Sequence, residues 1–242
     1  MKLDVLITTA HPDDAESAMG GTILKLLAEG KKVGICDFTR GELGTRGTAE
    51  IRDKEAAEAD KRLGLTVRAN LGFRDGFFPN DEEHVRRVIE VIRRFKPEIV
   101  FTNPPCDRHP DHGRAHDIAI QAAFLSGLPK IETQHRGKNQ EAWRPARVFH
   151  YIQSHQHTPD FVVDVTAHWK KKINALKAYG TQFGKNDNLS EEPETVISRE
   201  DIWDYFDGRG RAVGRKIGVT FGEGFLRSQG QPLKIEDVLS LA

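Results

Sequence analysis

Cysteine is scarce in this chain. Only Cys36 and Cys106 occur among 242 residues, and they form no CxxC pair. That excludes a disulfide framework and suits a reducing compartment. Surplus charge is missing too, because 36 Lys and Arg balance 36 Asp and Glu. General nucleic-acid and membrane-surface binders need a positive excess, so no nucleic acid and no membrane is expected as a partner. No apolar run approaches membrane-spanning length. The apolar stretch after Met1-Lys2 is too short and wrongly flanked for a signal peptide, which makes a cytoplasmic protein the expectation. There is no Walker GxxxxGK[ST], and Gly208-Arg209-Gly210 with Gly214 does not complete GxGxxG, so a nucleotide-binding module is disfavoured. No internal repeat, low-complexity tract or linker is evident. Residues 1–242 therefore read as one domain, with a regular core in 1–127 and a less regular completing half in 128–242.

Apolar residues make up 38 % of the chain, enough for a sizeable core, and their pattern alternates strand and helix. Leu3 to Thr9 reads as a buried strand, followed by a helix from about Glu16 to Glu29. Lys32 to Phe38, Thr66 to Leu71 and Glu98 to Thr102 read as further strands. Helices are expected over Ala49 to Leu63, Asp81 to Phe95 with Asn80 as its cap, and Gly113 to Leu125. Later, Val148 to Gln153 and Phe161 to Val165 look like strands and Trp169 to Phe183 like a helix. Gly184 to Val196 reads as a polar loop. Ser198, three residues before Asp201, reads as a capping box that opens a last helix through Trp203, Phe206, Val213 and Ile217. Repeated β-α units predict an α/β, Rossmann-like, mostly parallel sheet with helices on both faces. In such a sheet, sites form at the C-terminal ends of the strands.

Two clusters fall at those ends: His11-Pro12-Asp13-Asp14 after the first strand and His109-Pro110-Asp111-His112 after the fourth. A catalytic zinc site takes three ligands from His and carboxylate and keeps one position open. His11, Asp14 and His112 supply that set. Asp13 then stands beside the metal as general base, and the metal lowers the pKa of its water to roughly 7. His109 is suited to stabilise an oxyanion or donate to a leaving amine. Asp111 could orient His109 through one ring nitrogen. A lone His-Pro-Asp is usually a turn, and an Asp pair at a strand end is often a cap. Two such clusters, each after a parallel strand, argue against that plainer reading. The same ligand set also serves non-haem iron oxygenases, but Asp13 and His109 suit hydrolysis better. His155 and His157 stand where a loop near the site is expected.

On these residues the chain resembles the PIG-L / LmbE-like family of metal-dependent N-acetylglucosaminide deacetylases. The match runs through Ala10 to Glu16, Gly20-Gly21-Thr22, Thr39 to Gly47, Ile51-Arg52 with Glu55-Ala56, and Asp107 to His112. Segments Glu141 to Pro145, Asp160 to Thr166 and Gln182-Phe183 resemble the branch that makes bacillithiol. The resemblance implies Zn2+ on His11, Asp14 and His112, Asp13 as base, and His109 supported by Asp111. It places Arg52 and Arg108 at the substrate, which in that branch is N-acetylglucosaminyl malate. It also implies a homo-oligomer, in many members a hexamer built from trimers. Arg40, Arg46, Arg52 and Arg108 gather near the expected site loops in a neutral chain, which suits a carboxylate-bearing small molecule. Glu42 could bond a sugar hydroxyl. The same residues would serve an amidase acting on thiol-sugar S-conjugates, or a deacetylase of another N-acetylglucosamine compound.

Overall fold

A computed structural model describes residues 1–184 and 192–228. The first part alternates regularly: β1 (Val5–Thr9), α1 (Asp14–Ala28), β2 (Val33–Thr39), α2 (Ala49–Leu63), β3 (Val67–Phe73), α3 (Glu82–Phe95), β4 (Ile99–Thr102) and α4 (Pro110–Leu125). A small ribbon of β5 (Gln134–His135) and β6 (Lys138–Asn139) follows. Then come β7 (Arg147–Tyr151), β8 (Phe161–Asp164), α5 (Trp169–Leu176), α6 (Ile202–Gly214) and β9 (Gly222–Arg227). One sheet has the order β3-β2-β1-β4-β7-β9-β8. The pairings from β3 to β7 are parallel, and β9 runs antiparallel to both of its neighbours. The expected mostly parallel α/β sheet is the observed one.

Alternate strand residues explain the layers. Leu6, Cys36 and Val100 pack against α3 and α4 on one face, while Val5, Ile7, Ile35 and Phe101 pack against α1 and α5 on the other. Successive side chains of a strand point to opposite faces, so covering both faces demands near-continuous apolar runs. The chain leaves β1 for α1 on one face and leaves the adjacent β4 for α4 on the other. Their carboxyl ends therefore open a crevice between diverging loops. This puts both His-Asp clusters at one place.

Several boundaries differ from the expected ones. Asp81, not Asn80, caps α3, its carboxylate accepting from the His84 N–H at 3.0 Å. The fourth helix starts at Pro110 rather than Gly113, with His109 as its cap. Proline is well placed at a first helical position because its missing N–H would have no partner there. The helix expected to reach Phe183 stops at Leu176, and tight turns follow, in which Tyr179 donates to Glu16 and Thr181 to Glu55. Ser198 is no helix cap. It exchanges bonds within the Thr195–Ser198 turn, and α6 starts four residues later without a side-chain cap. The strand expected to reach Gln153 ends at Tyr151. Of the loop expected over 184–196, residues 185–191 lie outside the described residues. Among the described residues no helix is long and apolar enough to cross a membrane.

The strand β9 was not anticipated, because glycine is depleted in strands and Gly222-Glu223-Gly224 carries two. Its glycines are steric necessities. A Cβ on Gly222 would lie 2.7 Å from Val162 and 2.9 Å from Gly214. Glu223 is 3 % exposed and has a structural task. Helix α1 breaks at Met19 (φ −137°), which frees the N–H groups just beyond. The Glu223 carboxylate accepts from the backbones of Gly21 (2.9 Å) and Thr22 (2.7 Å) and pairs with Lys172 Nζ at 2.7 Å. A buried carboxylate at a helix start satisfies orphan donors and favours the helix dipole. The second half of the chain thus anchors the helix that opens at the site.

Candidate metal centre and cleft

The loop after β1 is bent by Asp13, which adopts φ 102°. A non-glycine residue in the left-handed region is strained, and such strain collects at functional sites. Here it lets Asp13 turn toward Arg52 while Asp14 begins α1. Arg52 Nη1 donates to Asp13 Oδ2 at 3.1 Å and to the Pro12 carbonyl at 3.0 Å. Gly41 and Gly44 lie against this guanidinium, where a Cβ would stand 3.1 and 3.2 Å from its nitrogens. Burial pushes the Asp13 carboxyl up to about 7, against the opposing pull of Arg52.

The donors converge around Asp14. His112 Nε2 lies 3.3 Å from Asp14 Oδ1, and His11 Nδ1 lies 3.7 Å from Asp14 Oδ2. One ring nitrogen from each of His11, His109 and His112 falls within 4.8 Å of the others. Burial opposes ionisation of Asp14, but His112, His11 and Gln153 outweigh it and hold the carboxyl far below its usual range. For the imidazoles the balance runs the other way. Burial lowers both, yet Asp111, Asp75 and Asp14 raise His11 to about 10, and Asp14 and Asp107 raise His112 to about 9. A pocket that favours positive charge this strongly, with two imidazoles and a carboxylate at its centre, fits a divalent cation.

The supporting groups were mostly missed by sequence reasoning. Asp107 Oδ2 lies 2.7 Å from His112 Nδ1, and its oxygens accept from the backbone N–H groups of Arg108, Ser154 and His155. This carboxylate fixes the His112 tautomer and ring, as outer partners of metal-bound histidines do. Gln153 donates to Asp14 Oδ1 at 2.6 Å, and Asn103 donates to Asp14 Oδ2 at 3.3 Å. Asp75 lies 3.1 Å from His11 Nε2 and accepts from the Leu43 N–H. Asp107 could have been found, since a carboxylate five residues before a candidate ligand histidine invites that role. Asp75, Asn103 and Gln153 carry no local signal. Asp107→Ala is expected to weaken metal binding by about 10–100-fold, measured by competition with a chelator.

The other expected site residues have varied placements. The Asp111 carboxylate does not touch His109. It sits 3.3 Å from His11 Nε2, accepts from Gly76 N–H and pairs with Arg114. Instead the Asp111 backbone N–H donates to His109 Nδ1 at 3.2 Å, because His109 caps α4. A neutral His109 then carries its proton on Nε2. Burial, with His11 and His112 nearby, lowers its pKa and favours that neutral form. Arg108 is exposed and lines the cleft, and Arg52 lines it while bound to Asp13. Glu42 does not line it, because its oxygens accept from the Asp75 and Arg40 backbones and hold the loop. Arg40 is paired with Asp53 and Glu50. His155 and His157 flank Cys106 outside the cleft lining.

The cleft has a volume of about 500 Å³. Its far wall comes from the second half of the chain, through Gln182, Phe183, Thr195–Ile197 and α6. An α/β sheet with two histidines and a carboxylate at its switch point, a second carboxylate alongside and a roomy cleft is the arrangement that metal-assisted hydrolysis calls for. The comparisons narrow that class. A family model described as GlcNAc-PI de-N-acetylase, PIG-L, matches residues 6–123. A deacetylase of 1D-myo-inositol 2-acetamido-2-deoxy-alpha-D-glucopyranoside from Saccharomonospora viridis is 31 % identical over 74 % of this chain and 85 % of its own length. A conserved protein from Thermus thermophilus superposes with TM-score 0.83 at 36 % identity, covering 96 % of this chain and 97 % of that one. The N,N'-diacetylchitobiose deacetylase from Pyrococcus horikoshii superposes with TM-score 0.77 at 29 % identity, covering 93 % and 84 %. The chain belongs to the PIG-L family.

Proposed function

We propose that this chain is a metal-dependent hydrolase that removes the acetyl group of an N-acetylglucosaminide, with N-acetylglucosaminyl malate, a bacillithiol precursor, as its substrate. The observation that carries the reading is the convergence of His11, Asp14 and His112 beside the buried Asp13 carboxylate at one end of the cleft. Relatives named for deacetylation of other glucosamine compounds support the reaction class. Support for the malate conjugate is local. Arg108 lines the cleft, and among the described residues no carboxylate lies within ion-pair distance of it. A guanidinium free in a cleft suits a substrate carboxylate.

His11, Asp14 and His112 would hold the metal, which we take to be zinc. When bound, it supplies Lewis-acid activation of water and of the acetyl carbonyl. Asp13 accepts the proton of the attacking water, and its link to Arg52 holds the accepting oxygen in place. His109 presents Nε2–H to the acetyl oxygen as negative charge develops there. Proton delivery to the sugar nitrogen then releases acetate and the free amine. Acetate release from N-acetylglucosaminyl malate, N-acetylglucosamine and diacetylchitobiose tests the proposal, with kcat/KM as the readout. A strong preference for the malate conjugate is expected. Equal rates would keep the deacetylase and remove the malate. No acetate from any of them would overturn the reading and favour an amidase of thiol-sugar conjugates.

A further inference from the structure

The cleft wall facing the metal donors carries one cation among the described residues. Ile197, Ile202 and Phe206 make that wall apolar, Tyr205 stands at its edge with 48 % exposure, and Arg209 projects from the same helix, α6. Of the arginines with little exposure elsewhere, Arg46 lies 3.9 Å from Glu192 with its Nε unbonded, and two are saturated. Arg68 meets three carboxylates, and Arg93 donates to four oxygens. Arg52 is committed to Asp13. The guanidinium of Arg209 donates to the Ile152 carbonyl and has the Tyr205 hydroxyl beside it. Among the described residues no carboxylate lies within ion-pair distance of it.

The acids nearest Arg209 are already engaged. Asp107 is held by His112 and by backbone N–H groups, and Glu223 by Lys172, Gly21 and Thr22. Burial accordingly lowers the Arg209 pKa, the neighbouring negative charges offsetting only part of the cost. A partly buried guanidinium with unused donors, paired with no carboxylate among the described residues, is costly unless an anion arrives with the ligand. Its planar fork matches a carboxylate in two-point contact.

We propose that Arg209, with the Tyr205 hydroxyl, binds an anionic group, a carboxylate, on the part of the substrate attached to the sugar. This rests on the deacetylase reading above and adds a specificity residue to it. With the acetamido group at the metal donors, the attached group extends across the cleft toward α6. A neutral glycoside would leave the Arg209 charge uncompensated, so the site selects for acidic conjugates.

The test uses the full-length, metal-loaded chain and the variants Arg209→Gln and Arg209→Lys. Two substrates are compared, N-acetylglucosaminyl malate and the neutral methyl N-acetylglucosaminide. Arg209→Gln should raise KM for the malate conjugate by about 10–100-fold with little change in kcat, and leave KM for the methyl glycoside unchanged. Arg209→Lys, which keeps the charge but not the fork, should fall between. Equal losses on both substrates, or no loss on either, would overturn the proposal and leave Arg209 as a clamp on Ile152. Free malate binding by calorimetry decides the matter independently of turnover. Weaker binding to Arg209→Gln than to the wild type supports the proposal even if neither substrate yields acetate, a result that would sink the deacetylase reading alone. Unchanged malate binding overturns it.

Discussion

Replacing Asp13 by Asn should cut acetate release by about 10²–10⁴-fold while the metal stays bound. The substitution is chosen for its backbone. Asp13 sits at φ 102°, a conformation that Asn tolerates better than Ala. An Asn side chain also keeps an oxygen for Arg52 Nη1, which now donates to Asp13 Oδ2 at 3.1 Å. What disappears is the capacity to take a proton. Because Asp13 lies outside the set His11, Asp14 and His112, metal content should remain that of the wild type. Activity within tenfold of the wild type would move the base elsewhere, with His109 next in line. Joint loss of metal and activity would make Asp13 a ligand rather than a base.

The largest stability effect is expected at Arg68. Its guanidinium pairs with Glu16, with Asp37 at 2.9 Å and with Asp60 at 2.8 Å, and its side chain is 11 % exposed. Glu16 and Asp37 are themselves almost fully buried, and Tyr179 donates to Glu16 at 2.9 Å. This knot ties the first turn of α1 to β2, to α2 and to the turn after α5. Arg68→Met would leave buried carboxylates without a counter-charge. Removing one partner of a buried ion pair costs about 3–5 kcal/mol. At about 2–4 °C per kcal/mol for a chain of this size, the midpoint of thermal unfolding should fall by about 6–20 °C. A fall of less than about 2 °C would show that the carboxylates find other partners or protonate without loss.

How much could be read from the residues alone follows from which signals are local. His11 and Asp14 share one turn, and a buried strand precedes it, so their convergence is written in a few consecutive positions. His112 required only that β1 and β4 be neighbours, which repeated β-α units favour. Asp75 comes from the loop after β3, Gln153 from the segment after β7, and Arg209 from α6. Each reaches the site through tertiary packing, and no spacing announces it. The Asp111 case shows the opposite error. Two residues from His109 it looked like its orienting carboxylate. The helix geometry sends that carboxylate to His11 and leaves the backbone N–H to hold His109. The strand β9 was hidden because its glycines, a residue type depleted in strands, are there to permit close approach by Val162, Gly214 and Pro159.

The most direct test of the account is a metal titration followed by acetate release. The apoenzyme, stripped by chelation, should release no acetate from N-acetylglucosaminyl malate. Added Zn2+ should restore release in proportion to bound metal, up to one ion per chain, and His112→Ala should neither retain the ion nor recover. Full release from enzyme shown to contain no metal, or no release from enzyme loaded with it, would contradict the account.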